Sequence, residues 1–238
     1  MPSAVYLVSG ANRGIGLGFV TSLATRDNVI VLAGARNPSA ATGLHTLVER
    51  HPGKVHIVKL TSCNKAENNN AIAEIKPIAG QLDVVIANAG ISQYFGPAAE
   101  TPVQQMRDHF EPLLKSSAPS PKFIAISSGA GSMAHGASMP MGILAYGASK
   151  AAENYLCRKL HFEHPELISR ILLIEFTHRR RGLMEIAAFA RSQDESTKQV
   201  PLITVEHCVN SVLKLVDDGM RETHGGKFLN YDGTTWEW

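Results

Sequence analysis

Short apolar runs alternate with segments of helical period along the chain, and that alternation constrains the fold more than any other feature of the sequence. The runs at 5–9, 29–33, 55–60, 84–87, 123–127 and 171–176, with a short last one at 227–229, are expected to be strands. Between them Ile15, Phe19, Val20 and Leu23 recur at 3.6-residue spacing, as do Leu44, Leu47 and Val48, then Ile72, Ile75 and Ala79. Val205, Val209, Val212, Leu213 and Val216 form a later stripe, with Thr204 as its N-cap and Gly219 close to its stop. Strand and helix in alternation build βα units, so the expected class is α/β: a doubly wound, mostly parallel sheet of about seven strands. With 238 residues, 44% of them hydrophobic, and no repeat, linker or low-complexity tract, residues 1–238 read as a single domain.

Charge and hydropathy narrow the function classes. Lys and Arg number 23 against 21 Asp and Glu, a balance without the broad basic surface that nucleic acid or an anionic membrane requires. The longest apolar stretches fall far short of the roughly 18 residues of a transmembrane helix. Met1-Pro2-Ser3 leads straight into an apolar run without the basic and apolar regions of a secretion signal. Cys63, Cys157 and Cys208 are odd in number and widely spaced, which fits buried thiols in a reducing compartment. The expectation is a cytoplasmic protein with neither nucleic acid nor membrane as partner.

The first strand runs into Gly10-Ala11-Asn12-Arg13-Gly14-Ile15-Gly16, where a helix opens. Backbone N–H groups and a helix N-terminus meet there, and such a point binds pyrophosphate. Glycines suit it because a Cβ would block the turn and hold a cofactor off the backbone. The bland alternative is an ordinary strand-to-helix turn, and position between the first strand and an amphipathic helix favours the dinucleotide. An acid after the second strand would bind the ribose 2′-hydroxyl of NAD, but Ala33-Gly34-Ala35-Arg36 has none. Arg36 and Arg13 could instead bind the 2′-phosphate of NADP, or be merely solvated; the empty acidic position favours NADP(H).

The glycine loop, Asn88-Ala89-Gly90 after the fourth strand, Ser127-Ser128 after the fifth, and Tyr146-Gly147-Ala148-Ser149-Lys150 follow one another in an order and strand context that resemble the short-chain dehydrogenase/reductases. The opening, the 34–38 turn and the ending Gly226-Lys227-Phe228-Leu229-Asn230-Tyr231-Asp232-Gly233 look most like fungal NADPH-dependent ketoreductases, including those similar to norsolorinic acid ketoreductases. The resemblance implies a Rossmann-like domain. It implies cofactor contacts from Gly10, Asn12, Arg13, Gly14, Ile15, Gly16, Arg36, Asn88, Ala89, Gly90, Tyr146 and Lys150, and catalysis by Ser128, Tyr146 and Lys150.

The chemistry of the pair also follows from spacing. Residues four apart share a helix face, so the ammonium can stand beside the phenol and a bound ribose. A free phenol titrates near about pH 10, and bringing that near 7 takes on the order of 4 kcal/mol of preferential phenolate stabilisation. Lys150 and an oxidised nicotinamide are the available sources. Tyr146 would give its proton to a carbonyl oxygen as hydride arrives, while Ser128 holds that oxygen. A second copy of the spacing, Tyr155 and Lys159, lies nine residues on, which at about 100° per residue is the opposite side of the helix. The small residues beside Tyr146 select the first copy.

Met133, Met139 and Met141 lie in the loop between Ser128 and Tyr146. They suit a pocket for a hydrophobic or aromatic ketone, and equally suit a role as packing filler. His135 reads as a solvated loop histidine. His161 and His164, without thiols or a third histidine nearby, suggest no zinc site.

Two segments depart from the family pattern. Its members usually carry a long helix after the fourth strand, with a proton-relaying Asn and a face that pairs subunits. Here Pro112 interrupts a helical stretch, a Ser/Ala/Pro-rich loop runs to Pro121, and 101–121 contains no Asn. The usual Pro-Gly turn after the sixth strand is replaced by Thr177-His178-Arg179-Arg180-Arg181-Gly182-Leu183. Both departures are abrupt, as an internal deletion or altered exon junction would make them. The leading reading is therefore an NADPH-dependent reductase of a small-molecule carbonyl compound. The reading kept beside it is an impaired or non-catalytic NADP(H)-binding relative, and the interrupted helix leaves pairing into a homo-oligomer open.

Overall fold

The computed structural model describes residues 4–61, 64–90, 121–139, 142–173 and 203–238. In chain order they form β1 (Ala4–Val8), α1 (Gly14–Ala24), β2 (Val29–Ala35), α2 (Thr42–Arg50), β3 (Val55–Lys59), α3 (Lys65–Ala79), β4 (Val84–Ala87), β5 (Lys122–Ser127), α4 (Leu144–Glu163), β6 (Ile168–Leu173), α5 (Val205–Asp218), α6 (Arg221–His224) and β7 (Phe228–Asn230). The seven strands lie in the order β3-β2-β1-β4-β5-β6-β7, and every pairing is parallel. Strand order reverses between β1 and β4, which opens a crevice at their carboxyl ends where such sheets bind ligands.

Successive strand residues point to opposite faces, so each face carries its own core. Tyr6, Val8, Val31, Ala33, Ile124 and Ile126 meet Phe19 and Leu23 of α1, Leu44 of α2 and Val212 and Val216 of α5. Val5, Leu7, Leu32, Val85, Phe123 and Ala125 meet Ala71 and Ile75 of α3 and Cys157 of α4 on the other side. The doubly wound α/β sheet read from the alternation is therefore the fold.

Several boundaries differ from the pattern. β2 continues through Gly34 and Ala35, which pair with Val58 and Lys59 of β3; glycine is needed at 34, where a Cβ would stand 2.7 Å from Leu60 Cδ2. Arg36 is thus the first residue past the strand. β6 begins at Ile168, before the expected 171. In α3 Ile75 is buried and Ala79 packs on the core as expected, but Ala71 is buried in place of Ile72, which is 45% exposed. The N-cap of this helix, Asn64, accepts a hydrogen bond from the Glu67 N–H.

Thr204 caps α5 as expected, accepting from the His207 N–H at 3.1 Å. The other end of α5 closes without a left-handed glycine, since Gly219 has φ −79°. Instead the Lys122 ammonium donates to the Val216 carbonyl at 2.7 Å and the Arg170 guanidinium to that of Leu215, two cations placed at the negative end of the helix dipole. Burial lowers the pKa of Arg170 to about 10, and burial followed by the Arg170 charge lowers that of Lys122. No described helix is long and apolar enough to cross a membrane.

Candidate active site

The glycine loop is built against the end of β4. Ser9 Oγ accepts from the N–H groups of Asn88 and Ala89, each at 3.0 Å, and Asn88 Nδ2 donates back to the Ser9 carbonyl at 3.0 Å. Gly10 has φ +62°, and a Cβ on it would stand 2.9 Å from Ala89 Cα. At Gly16 a Cβ would lie 2.2 Å from the Gly10 carbonyl oxygen and 2.6 Å from Asn88 Nδ2. Glycine is required at both positions by close approach. Gly14 has φ +57° and nothing within 4 Å of a Cβ, so it serves the turn and faces open space.

Ile15 is buried and anchors the first turn of α1 in the core, while Asn12 and Arg13 are exposed. That turn has no acidic residue and no side-chain cap, which leaves its N–H groups free for an anion. Pairing of Val8 with Ala33 and donation from the Ala11 N–H to the Gly34 carbonyl, 2.9 Å, put the glycine loop and Arg36 on one edge of the sheet. Arg36 is exposed there. Asn88 Oδ1 is buried without a partner, an acceptor left beside the cradle. These residues fit a dinucleotide: backbone donors for pyrophosphate, two arginines at the edge for a further phosphate, and an acceptor for a hydroxyl.

β5 and α4 build the second half. Ser128 follows β5 and caps a 3-10 turn, Gly129–Gly131, by accepting from the Ala130 N–H at 3.3 Å. Its own hydroxyl proton remains available to a further acceptor. The turn presses on α4, since a Cβ on Gly131 would lie 2.7 Å from Lys150 Cβ and one on Gly147 2.9 Å from the Ala130 carbonyl oxygen. Ser128 is thereby held against the stretch of helix that carries Tyr146 and Lys150.

Tyr146 is half-buried. Lys150 is 7% exposed and donates to the Ile126 carbonyl at 2.8 Å and to Glu153 Oε2 at 2.6 Å. Its Nζ lies 3.9 Å from where a Cβ on Gly90 would stand, so the ends of β4 and β5 converge on this ammonium. The second copy of the motif faces outward: Tyr155 is 72% exposed and Lys159 pairs with Glu163 at 2.8 Å on the surface.

Sequence reasoning gave no role to Ser9, Ser127, Glu153 or Asn154. Asn154 is buried, accepts from the Ser127 hydroxyl at 2.6 Å and donates to the Gly131 carbonyl at 3.3 Å, bracketing Ser128 on both sides. Its signal was its position four residues after Lys150, on the same helix face. His135 is exposed, as expected of a solvated loop histidine, with its ring centroid 5.3 Å from that of Trp236 and its Nε2 3.5 Å from Glu237. Met133 is 73% exposed, whereas Met139 comes within 3.6 Å of a Cβ position on Gly129. Met141, Cys63 and the two departures after β4 and β6, at 112–120 and 177–184, lie outside the described residues.

Residues 4–172 match the family described as short chain dehydrogenase. An uncharacterized oxidoreductase of Schizosaccharomyces pombe is 31% identical over 259 residues, covering 97% of this chain and 96% of its own. A norsolorinic acid ketoreductase of Emericella nidulans is 31% identical over 252 residues, covering 98% of this chain and 93% of its own. Among solved structures, an NADPH-bound carbonyl reductase from chicken fatty liver superposes over 100% of both chains with a TM-score of 0.79 at 24% identity, a likeness of fold.

Proposed function

The chain belongs to the short chain dehydrogenase family and is an oxidoreductase, and from that premise we propose that it reduces a hydrophobic or aromatic ketone to the alcohol with NADPH. The observation that carries the reading is the packing of the turn after Ser128 on α4 at Gly147 and Lys150, the stretch of helix that carries Tyr146 and Lys150 at four-residue spacing. Relatives named as norsolorinic acid ketoreductases support a ketone as substrate.

The glycine-loop N–H groups and the open start of α1 bind pyrophosphate. Arg13 and Arg36 bind the 2′-phosphate through charge-assisted hydrogen bonds. Lys150 holds the ribose near the nicotinamide. When bound, the reduced cofactor supplies a hydride to the carbonyl carbon. The Ser128 hydroxyl donates to the carbonyl oxygen and fixes its position, and Tyr146 gives that oxygen its proton, so the substrate gains one hydride and one proton.

The test is equilibrium binding of NADPH and NADP followed by oxidation of NADPH with a panel of aromatic ketones. Binding with ketone-dependent turnover is the expected result. Binding without turnover would leave the non-catalytic reading, and no binding would overturn both.

A further inference from the structure

Lys150 is buried, and two of its three N–H donors are taken, one by the Ile126 carbonyl and one by Glu153. Glu153 stands one turn further along α4, with a side chain only 17% exposed. Because both residues are on the same helix, the pair moves as a unit and needs no loop to assemble it. Against Lys150 lie Gly90, which follows β4, Ile126 of β5 and Gly131 of the 3-10 turn, none of them ionisable. The neighbouring Cys157 thiol is buried and held protonated, its pKa pushed up by burial and then by the Glu153 charge. Glu153 is therefore the compensating charge for this ammonium among the described residues.

The cofactor reading proposed above gives that compensation a specific consequence. Oxidised nicotinamide carries one positive charge that the reduced ring lacks, while the rest of the two cofactors is the same. An uncompensated ammonium in a partly desolvated pocket would repel the oxidised ring and leave the reduced ring almost untouched. We infer that Glu153 is a positioning residue of the nicotinamide half of the site. It aligns Lys150 so that the remaining N–H faces the ribose, and it offsets part of the lysine charge, enough that the oxidised ring is tolerated while the ammonium still stabilises the Tyr146 phenolate. Truncating it changes the balance between the two cofactor forms, which loss of mere packing would not do.

The experiment measures dissociation constants of NADPH and NADP, without substrate, for the full chain and for Glu153→Gln and Glu153→Asp. In Glu153→Gln the ratio of the NADP to the NADPH dissociation constant is expected to rise roughly 3- to 10-fold, and in Glu153→Asp, which keeps the charge, to stay near the native ratio. If Glu153→Gln does not fold, Glu153→Leu, which also removes the charge, is measured by the same criterion. An unchanged ratio, or equal losses for both forms, overturns the assignment of Glu153 and leaves the cofactor reading intact. A native chain that binds neither form overturns the cofactor reading and this inference together.

Discussion

Asn154 accepts the Ser127 hydroxyl proton at 2.6 Å while its amide donates to the Gly131 carbonyl, so one buried side chain on α4 spans the segment that carries Ser128. Asn154→Leu leaves two buried polar groups without partners, each worth roughly 1–3 kcal/mol. Chemical denaturation should show a loss of about 2 kcal/mol or more. With an active ketone, kcat should fall more than KM rises, because Ser128 loses its register to Tyr146. Unchanged stability and an unchanged kcat would remove Asn154 from this role.

Features set by local constraints were legible in the sequence. The seven strands announce themselves as apolar runs, and the glycine loop is legible because Gly10 and Gly14 must take positive φ. Helix phase put Tyr146 and Tyr155 on opposite faces, and the small residues beside Tyr146 chose between them. The rest is set by partners distant in sequence. Asn154 depends on Ser127, Lys122 and Arg170 on carbonyls of α5, and the Ala134 N–H on the carbonyl of Trp238. Within α3 only Ile72 was misread, because Ala71 and Ile72 are adjacent and both apolar, and it is Ala71 that meets the core.

Arg36 stands exposed at the first position past β2, on the edge it shares with the glycine loop. Arg36→Asp should weaken NADPH binding far more than NADH binding, because it removes a phosphate partner and adds repulsion. Competitive binding of the two cofactors checks this, and equal losses would place the 2′-phosphate elsewhere.

Gly16 makes the opposite prediction. A Cβ there meets the Gly10 carbonyl oxygen at 2.2 Å and would force the loop apart. Gly16→Ala should therefore weaken NADPH and NADH alike, as titration of both by fluorescence would show. Native affinity for either would mean that the loop does not form the cradle.

Two histidines give a pH dependence. Burial, then Arg221 and Arg158, lower the pKa of His161, and burial, then Arg170 and Lys227, lower that of His224. The unfolded chain takes up these protons first, near about pH 6.5. Their contribution to stability is thus present above that pH and is lost as pH falls below it toward the folded values. Thermal melts between about pH 7.5 and 5 should show stability falling with pH, and His161→Gln should flatten the fall. A slope unchanged in the variant would contradict this for His161.

The most direct test of the central claim is the rate of ketone-dependent NADPH oxidation in Tyr146→Phe compared with Tyr155→Phe. Gly147, the residue after Tyr146, packs on the turn that follows Ser128, while Tyr155 is 72% exposed on the far side of the helix. Tyr146→Phe should lower kcat by about 100-fold or more with NADPH affinity nearly intact, and Tyr155→Phe should leave both unchanged. Full activity in Tyr146→Phe, or its loss in Tyr155→Phe instead, would contradict the assignment of the proton donor and the site built around it.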